Sequence, residues 1–328
     1  MSRLIDSFGR VALKLRLSVT DRCNFRCVYC MPEDVAWMER SQLLSFEELE
    51  RVARIAVSLG VENIRLTGGE PLARRNLPEL VERLARIEGL KGLSLTTNGV
   101  FLPAQGEALR RAGLKSLNVS LDSLDRKRFE QLVRRDALDQ VLAGLDSARN
   151  LGFESIKINC VVMKGINECE LIAFAKMSRE TPFQVRFIEF MPLDGDNIWD
   201  RGKVVSLQEI LDRISAVYPL DFNSSSEPHE PARTYRFLDG QGSIGVIGSV
   251  SAPFCSTCDR IRITSDGKFR TCLFSTKEVD LRGRLRDGSP DKEIVLLLLG
   301  AVSRKEAGHL INSPDFEKPE RTMHAIGG

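Results

Sequence analysis

Six of the eight cysteines in this 328-residue sequence fall into two tight sets, and in a chain of this size such sets are typical of metal sites. Cys23, Cys27 and Cys30 form the first set, with the spacing C-x3-C-x2-C. Three thiolates on one short loop can each bind a different iron of a cubane cluster, which leaves the fourth iron open to an outside ligand. A structural zinc ion prefers a closed set of four ligands, and no fourth Cys or His lies nearby. The spacing therefore predicts a [4Fe-4S] cluster with one open iron.

The second set, Cys255, Cys258 and Cys272, lies near the other end of the sequence and has the spacing C-x2-C-x13-C. A zinc ribbon is the alternative interpretation, because C-x2-C followed by a distant cysteine is common in such sites. Zinc would need a fourth ligand, and Cys272 has no C-x2-C partner. The set therefore predicts a second open [4Fe-4S] cluster.

Two arginines stand between these cysteines. Arg260 and Arg262 project from the same face if the segment around them is a strand. Paired guanidiniums beside a cluster suit a polyphosphate, because each presents a rigid fork of N–H donors to anionic oxygens. A pair of solvated surface arginines is the other interpretation, and the spacing alone does not decide between the two.

The segments that must position these residues form a repeating pattern. Short β-branched runs alternate with amphipathic stretches, which predicts βα units around a parallel sheet. The predicted strands are Leu15–Val19, Asn63–Leu66, Gly92–Thr96, Ser116–Leu121, Ile156–Val162 and Val185–Phe190. The predicted helices are one from a Ser45–Glu48 capping box to Gly60, then Leu77–Ile87, Ala104–Arg111, Leu138–Asn150 and Glu168–Glu180. Periodicity leaves an open sheet and a barrel as alternatives, but in both the reactive loops follow the carboxyl ends of the strands.

The composition changes after about residue 220. Residues Asn223–Pro228 are typical of a loop, and short predicted strands follow at Thr234–Leu238, Ser243–Val250 and Ile261–Thr264, then a helix near Lys292–Val302. We predict two domains: residues 1–220 with the first cluster, and a smaller α+β region, residues 221–328, with the second.

The charge balance argues against some partners. Lys and Arg number 47 against 45 Asp and Glu, so a net charge of +2 offers no broad basic surface to nucleic acid. Hydrophobic residues make up 42% and charged residues 28%, which are ordinary globular values. The first ten residues lack the apolar core of a signal peptide, and the longest apolar run, from Ile294, is too short to span a bilayer. We expect a cytoplasmic protein that does not enter a membrane.

The C-x3-C-x2-C set after the first predicted strand resembles the signature of the radical S-adenosylmethionine (radical SAM) superfamily. The resemblance implies an α/β fold, a partial (β/α)6 TIM-like barrel. It also implies that the amino and carboxylate groups of S-adenosylmethionine bind the open iron, and that reductive cleavage yields a 5′-deoxyadenosyl radical. The segment Gly68-Gly69-Glu70-Pro71 resembles the segment that binds the methionyl amino group in that superfamily. By position, the residues implied to contact S-adenosylmethionine are Tyr29, Gly69, Ser120 and Met191.

From about Leu15 to its last residue the chain resembles the GTP 3′,8-cyclase family of molybdenum cofactor biosynthesis. The resemblance is carried by both cysteine sets, by the segments Arg186–Met191, Phe254–Arg262 and Ser265–Phe269, and by the final Gly327-Gly328. It implies GTP as substrate, with the purine bound to the open iron of the second cluster. The implied reaction removes hydrogen from C3′ of the ribose, joins C3′ to C8, and adds one electron and one proton.

The same resemblance implies further site residues and partners. The implied GTP contacts are Arg16, Arg65, Thr96, Lys157, Arg260, Ile261 and Arg262, and the implied catalytic residues are Arg186, Gly327 and Gly328. A flavodoxin- or ferredoxin-like electron donor and a homodimer are expected on the same ground.

Two alternatives remain at this point. Another two-cluster radical SAM enzyme, such as a peptide-modifying one, is the nearer alternative, although such enzymes usually carry a longer C-terminal cysteine set. A zinc-binding interaction module is the other. Cys160 is predicted to lie in the core, and neither it, Cys169 nor the three histidines, His229, His309 and His324, is assigned a function.

Overall fold

The computed structural model describes residues 3–223 and 230–328, so residues 224–228 of the predicted loop lie outside the described residues. The strands are β1 (Lys14–Ser18), β2 (Asn63–Thr67), β3 (Gly92–Thr97), β4 (Ser116–Ser120), β5 (Ser155–Val162), β6 (Gln184–Glu189), β7 (Leu220–Asp221), β8 (Arg233–Phe237), β9 (Ser243–Ile247), β10 (Arg260–Ile263), β11 (Lys268–Arg270) and β12 (Val279–Asp280). The helices are α1 (Phe46–Ser58), α2 (Leu77–Ala85), α3 (Leu102–Arg111), α4 (Arg126–Val133), α5 (Leu138–Asn150), α6 (Leu171–Glu180), α7 (Leu207–Ser215), α8 (Arg282–Arg286), α9 (Asp291–Val302) and α10 (Met323–Ile326).

Strands β1 to β6 lie side by side in chain order, and each neighbouring pair is parallel. The predicted βα repeat is therefore confirmed. The capping box is also confirmed, since the Ser45 hydroxyl accepts from the backbone N–H of Glu48 at 3.2 Å and the Glu48 carboxylate accepts from the N–H of Ser45 at 2.6 Å. Helices α4, α7, α8 and α10 were not predicted.

The strands after residue 220 extend this sheet at both edges. Strand β10 pairs parallel with β1, and β9 pairs parallel with β6. Antiparallel β11 and β12 continue the sheet beyond β10, and β8 and β7 continue it beyond β9, which gives a twelve-stranded sheet. Strands from both sides of residue 220 thus form one sheet, and the domain boundary predicted there stays a prediction.

The two faces of the parallel strands differ in chemistry. In β1, Leu15 and Leu17 are buried in the apolar core, whereas Arg16 between them lines a cavity on the other face. Side chains from the strands β1 to β6 and from β9 and β10 line that same cavity, so the sheet curves around it. The strand order is linear, and within the described residues its two end strands, β12 and β7, do not pair. The fold is a partial barrel whose concave face carries arginines and other polar side chains among apolar ones.

Candidate active site

Both cysteine sets line one cavity, the first after the carboxyl end of β1 and the second beside the amino end of β10, which is parallel to β1. All six sulfur-bearing residues of the two sets are among its walls, although the two sets lie more than two hundred residues apart in the sequence. All eight cysteines are free thiols in the structure. No three His, Cys, Asp or Glu side chains within residues 3–223 and 230–328 are grouped to hold a single metal ion. A cubane cluster does not require that grouping, because each thiolate binds a different iron.

The first set lies on the loop that follows β1 and is held from two sides. Backbone N–H groups of Arg26 and Val28 donate to the carbonyls of Val133 and Leu132 at 3.0 and 2.9 Å, which ties the loop to the end of α4. Burial is the largest cause of the raised thiol pKa values: it raises the pKa of Cys23 to about 12, and those of Cys27 and Cys30 also rise. Neutral thiols are thus favoured in the metal-free loop, and a bound cation would be needed to hold them as thiolates.

The glycine pair after β2 packs directly on this loop. The N–H of Gly69 donates to the Thr20 carbonyl and that of Glu70 to the Arg22 carbonyl, both at 2.8 Å. A Cβ on Gly68 would lie 2.6 Å from the Thr20 carbonyl oxygen, and a Cβ on Gly69 would collide with the carbonyl oxygens of Asp21 and Arg22. The two glycines are therefore required by close backbone contact, as well as lining the cavity.

The carboxylate of Glu70 joins the ends of β2 and β3. It accepts hydrogen bonds from the Thr97 hydroxyl at 2.7 Å and from the backbone N–H groups of Asn98 and Leu72 at 2.7 and 3.0 Å. Burial raises its pKa to about 7 against these hydrogen bonds, which lower it. The residue is 1% exposed: its carboxylate fixes the loops after β2 and β3, and its backbone N–H contacts the loop that carries the first set.

The second set lies in a different electrostatic environment. Burial acts to raise the pKa of Cys258, but the charges of Arg260 and Lys305 outweigh it and lower that pKa to about 7. The Arg260 guanidinium donates toward the Cys258 sulfur at 3.6 Å. The pKa of Cys272 is raised, chiefly by burial. One thiol of the second set is therefore poised to ionise near neutral pH even without metal.

This contrast predicts the order of alkylation in reduced, metal-free protein. At about pH 7 we expect Cys258 to react with iodoacetamide at least about tenfold faster than Cys23, because the thiolate is the reactive form. The Cys258 rate should rise as the pH passes through about 7 and level off above it. Peptide mass spectrometry measures both rates, with the exposed Cys169 as an internal reference for the reagent. Equal rates for Cys23 and Cys258 would contradict the assignment of their environments.

Strand register brings three arginines together on the concave face. Arg16 of β1 is directly opposite Arg65 of β2 on one side and Arg262 of β10 on the other. Arg186 of β6 and Arg260 of β10 line the same cavity. Lys157 of β5 lies close enough to Arg65 and Arg186 for their charges to affect its pKa. We call Arg16, Arg65, Lys157, Arg186, Arg260 and Arg262 the cation row.

Within the described part of the chain, nearby carboxylates only partly balance the cation row. Burial first, then repulsion by neighbouring cations, lowers the pKa of Arg65 to about 10, of Arg262 to about 9 and of Lys157 to about 8, and it lowers that of Arg16 well below its usual value. Glu230 partly offsets this charge, since its carboxylate lies 3.7 Å from Arg186. Like charges held together in a buried site favour a polyanionic ligand, which would relieve their repulsion.

The last two residues of the sequence reach the same place. The Gly327 carbonyl accepts from the Arg262 guanidinium at 3.0 Å and from the Thr67 hydroxyl at 3.2 Å. Gly327 has a φ of +80°, and a Cβ there would lie 2.7 Å from the Cβ of Ser18. Gly328 lines the cavity.

Most of the site residues expected from the sequence are brought together. The cavity walls include Tyr29, Gly69, Ser120, Met191, Arg16, Arg65, Thr96, Arg186, Arg260, Arg262 and Gly328. The side chain of Ile261 does not lie there: it is 1% exposed and packs in the apolar core, because alternate residues of β10 face opposite sides. Only the backbone of Ile261 can serve the predicted GTP contact.

Other residues of the cavity were not expected from the sequence. Asp122 accepts from the Tyr29 hydroxyl at 2.6 Å, and burial raises the pKa of Asp122 to about 6. His309 and His324 line the cavity although they lack metal-ligand spacing. Cys160 is 2% exposed, which confirms its predicted place in the core. The histidines reach the site through contacts between distant segments, which a single sequence does not reveal.

Comparisons with known proteins agree with this geometry. The profile of the Radical SAM superfamily matches residues 17–177, and that of Molybdenum Cofactor Synthesis C matches residues 183–311. The chain is 47% identical to a GTP 3′,8-cyclase of Rhodopirellula baltica, over 99% of this chain and 92% of that protein. It is 46% identical to a GTP 3′,8-cyclase of Streptomyces coelicolor, over 99% of this chain and 96% of that protein. A mitochondrial GTP 3′,8-cyclase of Arabidopsis thaliana is 43% identical over 99% of this chain and 83% of its own length.

The fold has a counterpart among solved structures. SuiB of Streptococcus suis, in its structure bound to S-adenosylmethionine, has a TM-score of 0.63 and 14% identity, and the match covers 98% of this chain and 77% of that one. This likeness supports the expected partial-barrel fold, and it concerns the fold alone. No helix among the described residues is both long and apolar enough to cross a membrane. Sequence identity over nearly the whole chain decides the family: the chain belongs to the GTP 3′,8-cyclase family.

Proposed function

We propose that this chain is a radical SAM lyase that converts GTP to (8S)-3′,8-cyclo-7,8-dihydroguanosine 5′-triphosphate, the first step of molybdenum cofactor biosynthesis. One observation carries the proposal: the two cysteine sets and most of the cation row line a single cavity. A radical generated at one set can therefore act on a polyanion held at the other. The relatives named as GTP 3′,8-cyclases supply the identity of that polyanion.

The first cysteine set fits a [4Fe-4S] cluster. Cys23, Cys27 and Cys30 would hold it, and with S-adenosylmethionine bound it supplies a 5′-deoxyadenosyl radical to the cavity. Gly69 leaves room for the backbone to approach a ligand, because it has no Cβ. The proposed S-adenosylmethionine contacts, Tyr29, Gly69, Ser120 and Met191, all line the same cavity as this set.

The second set and the cation row would bind GTP. Cys255, Cys258 and Cys272 would hold the second [4Fe-4S] cluster, close to Arg260 and Arg262 of β10. The cation row would bind the triphosphate, since its guanidiniums offer charge-assisted hydrogen bonds to phosphate oxygens. Binding at both ends would fix the ribose in the cavity, and fixed orientation is the main requirement for selective attack by a radical.

Anaerobic turnover with GTP, S-adenosylmethionine and a strong reductant tests the proposal. We expect 5′-deoxyadenosine and the cyclised nucleotide to form together when GTP is present. ATP serves as the control nucleotide, because it carries the same triphosphate on a different purine. Formation of 5′-deoxyadenosine at the same rate with and without GTP would contradict the proposed substrate.

Metal content provides an independent test. Two filled cubane sites should give brown protein with about eight irons per chain. Substitution of Cys255, Cys258 and Cys272 by alanine should remove about half of that iron. Colourless protein with two zinc ions would favour the interaction module instead.

Three further proposals concern organisation and partners. The chain needs an external electron for each turnover, and we propose that a flavodoxin- or ferredoxin-like protein delivers it. We also propose a homodimer, which size-exclusion chromatography with light scattering can test. Residues 1–220 and 221–328 are proposed as the two domains, because the first carries one cysteine set and the second carries the other. A cytoplasmic location stays a prediction.

A further inference from the structure

A buried lysine lies beside the second cysteine set. Lys305 follows α9 and is 5% exposed. Its ammonium donates to the carbonyl oxygens of Cys258 and Arg260 at 3.0 and 2.9 Å, and it lies 3.8 Å from the sulfur of Cys258. Lysine is almost never fully buried unless it is paired, because a buried ammonium loses its hydration.

The partners of this ammonium indicate what balances its charge. The two carbonyl oxygens are neutral, and the third partner in the described part of the chain is the sulfur of Cys258, a proposed cluster ligand. Arg260 also donates toward that sulfur at 3.6 Å. Two cationic side chains thus converge on one sulfur of the second set.

The residues next to Lys305 contact the rest of the same set. The Glu306 carboxylate accepts from the hydroxyls of Thr271 and Ser275, at 2.7 and 2.5 Å, on either side of Cys272. A Cβ on Gly308 would lie 3.2 Å from the sulfur of Cys255. Residues 305–308 therefore touch the surroundings of all three cysteines, so Lys305 is held in place by more than its own contacts.

The first set differs: among the described residues, no charged side chain donates to one of its sulfurs. The Arg26 guanidinium donates to the backbone carbonyls of Cys23 and Phe25, and the Cys23 sulfur accepts from the neutral backbone N–H of Phe25 at 3.4 Å. The reduction potential of an iron–sulfur cluster depends on its net charge and on hydrogen bonds to its sulfurs. The two sets therefore differ in the features that determine potential.

We propose that Lys305 is a positioning residue that raises the reduction potential of the second cluster through its ammonium contact with the Cys258 sulfur. The inference rests on the proposed second cluster. The ammonium stabilises the more negative, reduced form of the cluster more than the oxidised form. Lys305 acts through Cys258, and we assign it no contact with the substrate.

A redox titration of the holoenzyme, followed by electron paramagnetic resonance, tests this inference. We expect Lys305→Met to make the midpoint potential of the second cluster more negative by roughly 59 mV. For one electron, this is about a tenfold change in the reduction equilibrium. Lys305→Arg keeps the charge, so the midpoint potential of its second cluster should stay closer to that of the unmodified protein. Lys292→Met is the matched control. Lys292 is exposed on α9, so its substitution removes the same charge far from the Cys258 sulfur. A full-length variant with Cys23, Cys27 and Cys30 replaced by alanine identifies the signal of the second cluster.

The outcomes separate this inference from the proposed function. If the unmodified protein has no second cluster by iron content, the proposed cluster itself is wrong. If that cluster is present and Lys305→Met leaves its midpoint unchanged, only the role of Lys305 is overturned. Should Lys305→Met fail to bind the second cluster, Lys305→Gln replaces it in the same titration. Loss of the second cluster in both variants would also overturn the role, because Lys305 would then be needed for assembly rather than for potential.

Discussion

Deletion of Gly327 and Gly328 is expected to abolish cyclisation of GTP while both clusters stay in place. The Gly327 carbonyl binds Arg262 and Thr67, so the deletion frees a guanidinium that neighbouring cations repel. A displacement of about 1 Å in such a group can lower a rate by about 10²-fold. Since neither residue contacts a cysteine sulfur by hydrogen bonding, iron content should not change. Mass spectrometry of the cyclised product measures the loss of cyclisation. Chemical analysis of iron per chain shows whether both clusters stay in place.

Two single variants refine the deletion experiment. Gly327→Ala should reproduce most of the loss, because its Cβ would crowd Ser18 and Thr67 and its φ of +80° is unfavourable for alanine. Glu320→Ala, an exposed position on the same segment, is the matched control and should turn over normally. Normal cyclisation by the truncated chain would rule out a role for the two glycines.

Gly69→Ala is expected to disable the loop that carries the first cysteine set. The new Cβ would lie within 2.5 Å of the Arg22 carbonyl oxygen, and backbone atoms of the loop that leads to Cys23 would have to move. Overpacking of this kind typically costs about 1–3 kcal/mol of stability. We expect loss of the iron of the first cluster, about half of the total, and a drop of at least about 10²-fold in cleavage of S-adenosylmethionine.

The control for this variant is Gly283→Ala in α8, where the nearest atom to the new Cβ is a carboxylate oxygen of Asp280 at 4.0 Å. Iron content, 5′-deoxyadenosine formation and the midpoint of chemical unfolding are compared for the two variants. Retention of full iron and normal cleavage of S-adenosylmethionine by Gly69→Ala would show that the loop accommodates the methyl group.

The sequence was most informative where local chemistry determines structure. Each predicted strand from β1 to β6 agrees with the structure to within one residue at each end, because runs such as Ser155–Val162 alternate buried apolar and polar positions. The cysteine spacings and the capping box are also local. Helix α4 escaped prediction because its apolar side, Phe129, Leu132 and Val133, is short and interrupted by charged residues.

The cation row shows where a single sequence was insufficient. Arg16 and Arg65 lie in separate strands, and they meet only because the register of β1 and β2 makes them opposite each other. Resemblance to a family indicated these residues, whereas spacing did not. Lys305 and Cys258 likewise meet through tertiary contacts between distant segments. Side-chain direction also mattered, since Ile261 was expected in the site and its side chain faces the core.

The two edges of the six-stranded parallel sheet also have a consequence for folding. Strand β10 covers the edge at β1, and β9 covers the edge at β6, but both are synthesised long after the strands they protect. Until then the nascent sheet presents two rows of unpaired backbone groups, which are templates for pairing with other chains. Joining β10 to β1 is a contact between very distant segments, and such contacts form slowly. Expression conditions that slow aggregation during synthesis, such as lower temperature, should therefore raise the yield of soluble protein without any change in the stability of the finished fold.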